Sequence, residues 1–184
     1  MPNTETPTEL RDTPVSYGYV SRFFHWALAA LILWQLLGMV MKFALGRHPV
    51  SAFFVGTHQW VGSVIFVLVV LRVVWAVSNA GRRPPHEAGL MGFASRAGHG
   101  LLYLLMLVIP ALALLRAWGS ERAFAPLGLE IFSAREADIA WAVAPANAAH
   151  GTLGWVFLAV IAGHVAMAFY HQKVLRDRAL NRMA

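Results

Sequence analysis

Residues 150–173 read HGTLGWVFLAVIAGHVAMAFYHQK. This stretch is long and apolar enough to cross a bilayer as one helix, because about 20 apolar residues span the hydrocarbon core. It contains no carboxylate, yet it carries histidines at positions 150, 164 and 171. An ionisable side chain within a bilayer is costly, so these histidines predict a functional site whose partners lie elsewhere in the chain.

The rest of the chain is similarly apolar. Of its 184 residues, 58% are hydrophobic and 13% are charged, and the mean hydropathy is +0.56, which is typical of a membrane protein. Three further stretches have the length of a membrane span: residues 23–45, 54–77 and 97–118. The sequence therefore predicts an all-α fold, an integral membrane four-helix bundle, with a single domain over residues 17–184.

The segments outside the spans are short. Residues 1–16 are polar, show no signal-peptide pattern, and are predicted to form a disordered cytoplasmic tail. The longest connection covers residues 119–146. Within it, S-A-R-E at 133–136 has the capping-box pattern and predicts a short helix at the membrane surface. The absence of cysteine excludes disulfides, iron–sulfur clusters and covalently attached c-type haem.

The net charge of +6 is interpreted as membrane topology, and no nucleic-acid partner is expected. Four spans place both termini on one side of the membrane, and nine basic residues lie there against five on the other side. The excess predicts that both termini are cytoplasmic. The nine are Arg11, Arg22, Arg82, Arg83, Arg96, Lys173, Arg176, Arg178 and Arg182, and the five are Lys42, Arg47, Arg116, Arg122 and Arg135.

The histidines fall at two levels of the predicted bundle. His150 and His164 are fourteen residues apart, nearly four helical turns, so they share a helix face and lie about 21 Å apart along its axis. His58 lies near the start of the second span at the level of His150, and His25 lies near the start of the first at the level of His164. Two imidazoles from different helices can hold a planar haem between them. The pattern predicts two non-covalent haem b groups, with these four histidines as iron ligands.

Two other uses of these histidines compete with haem. Zinc in a tetrahedral site takes three or four ligands at one depth, whereas these histidines divide two and two. A proton relay is possible, although relays usually include carboxylates and the predicted spans contain none. Haem is therefore the favoured occupant.

Further polar residues accompany the histidines. Arg22 lies three residues before His25, and Arg72 lies fourteen after His58, so both are predicted to bind haem propionates. The alternative for Arg72 is a side chain that extends to the membrane surface. His99 and His171 are the candidate catalytic residues at the predicted cytoplasmic side, where they would deliver protons. Hydrogen bonding to a propionate or to backbone is the alternative role for both.

The order of these motifs resembles that of the bacterial cytochrome b561 family over about residues 17–183. The first span opens with His25 and Trp26, and the third has G-H-x-x-L-Y at residues 98–103 with Pro110 downstream. The fourth span has H-x13-H-x6-H. The second span has a histidine, a glycine, an arginine and a tryptophan at positions 58, 62, 72 and 75.

The resemblance implies a four-helix protein of the bacterial inner membrane that binds two b haems through His25, His58, His150 and His164. Small stand-alone members of the family resemble superoxide oxidase, so periplasmic superoxide is the expected electron donor and ubiquinone the expected acceptor. With both axial positions of each iron filled, outer-sphere electron transfer is the expected activity. Basic residues of the outer loops are expected to attract superoxide, namely Lys42, Arg47, Arg116 and Arg122.

Two rival functions remain at this point. The first is an electron-transfer cytochrome b subunit that serves a dehydrogenase or another periplasmic redox protein and uses the same ligands. The second is a non-redox transporter or assembly factor, which would bind no haem.

Overall fold

The chain folds into four long helices. The computed structural model describes residues 9–84, 89–176 and 183. The helices are α1, Tyr19–Leu45; α2, Pro49–Ser78; α3, Gly89–Gly119; and α4, Ala140–Tyr170, which continues as a π-helical turn over His171–Leu175. Within the described ranges, the only strand-like pairing is a single bridge between Phe124 and Phe132. The predicted all-α bundle of four membrane-spanning helices is confirmed.

The outer surface of the helices is apolar. Even α1, the shortest at 27 residues, extends over about 40 Å, which exceeds the roughly 30 Å hydrocarbon core of a bilayer. Large apolar side chains such as Phe43, Val74 and Phe169 point outward and are more than half exposed. A surface of this kind is stable in contact with lipid chains, so the protein is a membrane protein.

The helices run antiparallel, so their ends form two groups. The starts of α1 and α3 and the ends of α2 and α4 lie together at what we call the terminal end. The opposite end holds the connections 46–48 and 120–139, and we call it the loop end. Gly46, with a φ of 60°, allows the tight turn between α1 and α2. His48 then caps α2, because its Nδ1 accepts a hydrogen bond from the Val50 N–H.

The four helices pack as two hairpins. α1 packs chiefly on α2 and α3 chiefly on α4, whereas the contact between α2 and α3 is smaller. Small residues allow close approach within each hairpin, since Gly38 of α1 faces Phe54 of α2 and Gly119 of α3 faces Ala142 of α4. The buried apolar core is formed by Leu28, Ile32, Leu36, Val61, Ile65, Val69, Leu105 and Phe157.

The predicted short surface helix in the third connection is wrong. Residues 133–136 are not helical, and the Ser133 hydroxyl donates to the Glu130 carboxylate instead of capping a helix. The apolar residues that follow form the first turns of α4, which starts ten residues before His150. This extension is stabilised because Ala142 is buried against Gly119 and the Ile139 N–H donates to the Gly119 carbonyl.

Residues 9–18 lie against the terminal end. The Asp12 carboxylate is fully buried, accepts a hydrogen bond from the Gly18 N–H at 3.0 Å, and lies 3.4 Å from Arg83 Nε. A Cβ at Gly18 would overlap the carbonyl oxygens of Leu10 and Arg11, so this fold-back needs glycine. Residues 1–8 of the predicted tail lie outside the described part of the chain, and the division into a disordered tail and one domain stays a prediction.

Replacing Gly38 by alanine should destabilise the first hairpin. The added Cβ would lie 2.8 Å from Phe54 Cβ, which is fixed to the α2 backbone, so the helices must separate. Overpacking of this kind typically costs about 1–3 kcal/mol. Gly56→Ala is the matched control, because no atom lies within 4 Å of the position that its Cβ would take and alanine favours the helix. The midpoint of thermal unfolding in one detergent should fall for Gly38→Ala only, and equal shifts in the two variants would contradict this packing.

Candidate functional site

Two histidines face each other near the loop end. His58 of α2 and His150 of α4 have ring centres 5.9 Å apart, with their planes inclined at 74°. His150 Nδ1 lies 3.2 Å from the Ile109 carbonyl oxygen. Because a carbonyl can only accept, Nδ1 carries the proton and the lone pair of the neutral ring is on Nε2. A backbone partner of this kind is how proteins orient an imidazole for metal binding.

A cavity of about 500 Å³ adjoins this pair, and both histidines line it. This volume is within the usual range of about 300–1,000 Å³ for sites that enclose organic ligands. No atom lies within 4 Å of the position that a Cβ would occupy on Gly151, so space is open beside His150. Most of the lining is apolar, with side chains that include Ile32, Leu36, Ile65, Leu105, Ile109 and Phe157.

A second group of histidines lies towards the terminal end. His25 of α1 and His164 of α4 have ring centres 6.4 Å apart. His99 of α3 is also in contact, with its ring centre 5.4 Å from that of His164. The His99 Nδ1–H donates a hydrogen bond to the Ser95 carbonyl oxygen at 2.7 Å, which again leaves Nε2 as the acceptor nitrogen. This level therefore holds three imidazoles.

The contact of His99 with His164 does not follow from the predicted spans. A third span that starts at residue 97 would put His99 in its first turn. α3 instead begins at Gly89, so His99 lies ten residues inside the helix, at the depth of His164. The sequence carries one signal of this earlier start. Residues 88–95 contain no charged side chain, so the uncharged stretch of the third span begins well before residue 97.

The spacing of both facing pairs fits a metal held between them. An imidazole nitrogen binds a metal ion at about 2 Å, so two rings on opposite sides of one ion have centres about 6 Å apart. The separations of 5.9 and 6.4 Å agree with this value. Over the described residues, no group of three or more His, Cys, Asp or Glu could hold a bare metal ion. A facing pair of imidazoles fits haem, whose macrocycle provides the other four ligands, whereas a zinc site needs three or four protein ligands around one ion.

The Arg72 side chain makes hydrogen bonds inside the bundle. Its Nε donates to the Tyr103 hydroxyl at 3.0 Å, and its Nη1 lies 3.5 Å from the Ser21 carbonyl. Trp75 Nε1 donates to the Ser21 hydroxyl at 2.9 Å, so the same turn of α1 is fixed from two positions of α2. No sequence spacing indicates Tyr103 as a partner of Arg72. Ser21 lies one turn before His25, which places Arg72 at the level of the terminal-end histidines.

The other two predicted residues, Arg22 and His171, lie at the terminal end of the bundle, in the first turn of α1 and just after α4. The Arg22 guanidinium stacks on the Tyr19 ring, 4.7 Å from its centre. His171 is the first residue of the π-helical turn that follows α4, and its ring meets Tyr170 edge-on at 6.4 Å. The roles predicted for Arg22, Arg72, His99 and His171, like the iron-ligand role of the four paired histidines, stay predictions.

Four membrane helices with facing imidazoles are the features of a membrane b-type cytochrome. Residues 16–184 match the family described as prokaryotic cytochrome b561. The chain is 31% identical to cytochrome b561 homolog 2 of Escherichia coli (strain K12), over 94% of this chain and 93% of the relative. It is 34% identical to cytochrome b562 of Cereibacter sphaeroides, over 86% of this chain and 89% of the relative.

The chain therefore belongs to the prokaryotic cytochrome b561 family. Membership implies haem b as the cofactor and electron transfer in a membrane as the activity. The resemblance read from the histidine, arginine and tryptophan spacings is confirmed at the level of the family.

Removing the Tyr103 hydroxyl should destabilise the bundle. Tyr103→Phe deletes the acceptor of Arg72 Nε, and hydrogen bonds to charged groups contribute about 1.5–3 kcal/mol, or less within membrane bundles. Tyr19→Phe is the control, because Tyr19 also stacks with an arginine but that contact involves only its ring. Thermal unfolding should occur at a lower temperature for Tyr103→Phe alone. An unchanged midpoint would show that the bond to Arg72 is not stabilising.

Proposed function

We propose that this protein is a di-haem b-type cytochrome that oxidises periplasmic superoxide to oxygen and reduces ubiquinone, and so transfers electrons across the bacterial inner membrane. The observation that carries the proposal is the occurrence of two facing imidazole pairs at two depths of one bundle, with ring centres 5.9 and 6.4 Å apart. With one pair near each end of the bundle, electrons can pass from a haem on one side of the membrane to a haem on the other.

In this proposal the four paired histidines bind the two haems. His58 and His150 would hold one haem at the loop end, and His25 and His164 would hold the other. Haem b, when bound, supplies one-electron transfer. Because paired imidazoles would hold each haem from both sides, superoxide would give up its electron without binding to iron. Two superoxide anions each lose one electron and leave as oxygen, while one ubiquinone gains two electrons and two protons and becomes ubiquinol.

Protons for ubiquinone are assigned to the terminal end. His99 and His171 are the candidates, because imidazole exchanges protons near neutral pH. The His99 Nδ1 proton is held by the Ser95 carbonyl, so its Nε2 is the nitrogen that would pass a proton. His171 lies in the π-helical turn, where it can exchange protons with the aqueous side.

The distribution of basic residues supports an orientation. The terminal end carries the larger set of arginines and lysines, so it is assigned to the cytoplasm together with both termini. Arg178 and Arg182, which belong to that set, lie outside the described residues. The loop end then faces the periplasm, where basic residues attract superoxide over a distance. The candidates for this role are Lys42, Arg47, Arg116 and Arg122.

Ligand variants should remove one haem at a time. His150→Ala and His25→Ala should each lower the haem content from two to about one per chain, because each deletes one member of a different pair. His48→Ala is the control, since His48 caps α2 and belongs to neither pair, and it should retain two. The pyridine haemochrome absorbance relative to protein gives the ratio. Retention of two haems by His150→Ala would exclude His150 as a ligand.

Superoxide should reduce the purified protein rapidly. In stopped-flow mixing, haem reduction should outpace spontaneous dismutation, and ubiquinol should form afterwards. The rate should fall as salt is added, because an exposed positive field is screened within about 10 Å at 0.1 M ionic strength. Haem reduction no faster than dismutation would exclude superoxide as the donor and leave the cytochrome assignment intact.

A second candidate is an electron-transfer cytochrome b subunit that serves a dehydrogenase or another periplasmic redox protein. The observation in its favour is the apolar tip of the 120–139 connection, where Leu127, Leu129 and Ile131 are 78%, 70% and 49% exposed. Exposed apolar residues outside the spans are typical of protein-binding surfaces. This function predicts that the isolated chain oxidises superoxide no faster than free haem does.

A further inference from the structure

The loop-end cavity has a polar margin that the histidines do not explain. From His58 and His150 the cavity reaches the end of α3 and the start of the following connection, where Arg116, Ser120 and Arg122 line it. Arg116 lies in the last turn of α3, and Arg122 lies six residues further along. Two arginines therefore border a cavity whose lining is otherwise mostly apolar, and both are exposed.

The charges of these two arginines are not neutralised by the described part of the chain. Among those residues the one ion pair joins Arg83 to Asp12, at the other end of the bundle. Asp138 accepts from the Glu121 N–H and Glu130 accepts from the Ser133 hydroxyl, and no ion pair joins Glu121 to Arg122 within the described residues. Arg116 and Arg122 are therefore available to an anionic ligand in the cavity.

Arg135 shows how an arginine of the same region behaves when it has a structural role. Its Nε donates to the Trp118 carbonyl at 2.7 Å, and its guanidinium stacks 4.5 Å from the Trp118 ring centre. Neither Arg116 nor Arg122 makes a comparable contact within the described residues. Arg135 is thus held by the connection, whereas the exposed side chains of Arg116 and Arg122 are free to turn towards the cavity that they line.

The shape and chemistry of the cavity define its ligand. Facing imidazoles suit a planar metal complex, the apolar walls suit an apolar ring system, and the two arginines at the margin suit carboxylates. Haem b has this combination, with propionates along one edge. We propose that Arg116 and Arg122 bind the propionates of the loop-end haem. This inference rests on the proposed haem at His58 and His150.

If Arg116 and Arg122 bind propionates, fewer basic residues at the loop end are left to attract superoxide. Arginines that bind propionates have their charge neutralised and no longer attract superoxide from a distance. Lys42 and Arg47 then remain as the basic residues that attract it. The experiment must therefore separate loss of haem from loss of reaction with superoxide.

The test uses the full chain loaded with haem, and the probe is transfer of haem to excess apomyoglobin. Arg116→Gln and Arg122→Gln should each speed the release of one of the two haems about tenfold, and the double variant about a hundredfold, because each removes a charge-assisted contact. Arg47→Gln is the control at the same end, outside the cavity, and should release haem at the wild-type rate. In a His25→Ala background, which retains only the loop-end haem, the same factors should apply to the single release phase.

A second test alters the cofactor instead of the protein, so it can be made with the wild-type chain even if the arginine variants fold poorly. Iron protoporphyrin dimethyl ester lacks the propionate charges, so the wild-type chain should lose it from the loop-end site as fast as the double variant loses haem b. The arginine substitutions should then have no further effect. Equal retention of the ester and of haem b by the wild-type chain would overturn the inference.

The remaining outcomes are also distinct. If the double variant keeps its haem at the wild-type rate but is reduced more slowly by superoxide, the arginines act on superoxide and the inference is wrong, while the proposed function stands. If the wild-type chain binds no haem at His58 and His150, the proposed function itself fails, whatever the arginine variants do.

Discussion

The structure depends on how imidazoles are accommodated in an apolar interior. A histidine within a bilayer must have partners for both ring nitrogens, because water is not available. The carbonyls of Ile109 and Ser95 satisfy Nδ1 of His150 and of His99, so only the second nitrogen of each ring faces the interior. A metal between opposing rings would satisfy those nitrogens as well. The two facing pairs connect α4 to α1 through His25 and His164, and to α2 through His58 and His150.

Much of this arrangement could be predicted from the sequence because it follows from regular geometry. Fourteen residues return a helix to the same face, so His150 and His164 had to share one side of α4. Antiparallel spans relate position along the chain to depth, and this placed His58 and His25 at the matching levels. Both pairs are in ring contact in the structure.

Other features depend on contacts between distant residues and could not be predicted. α4 starts at Ala140 because Ala142 fits against Gly119, and a local capping pattern at residues 133–136 carries no information about that contact. The early start of α3 brought His99 to the level of His164. Similarly, the bond from Arg72 to Tyr103 joins positions that no periodicity relates. In each case the feature depends on contacts between residues that are far apart in the sequence.

The division into two hairpins has a consequence for how the protein is made. His25 and His58 lie on the first hairpin, whereas His150 and His164 lie on the second, so each facing pair has one member from each half. A ribosome completes the first hairpin before the second exists, and at that moment the membrane contains two half-sites. Neither facing pair is complete until the last helix has been inserted. Biogenesis is therefore ordered by the chain itself, because each facing pair joins two segments that enter the bilayer at different times.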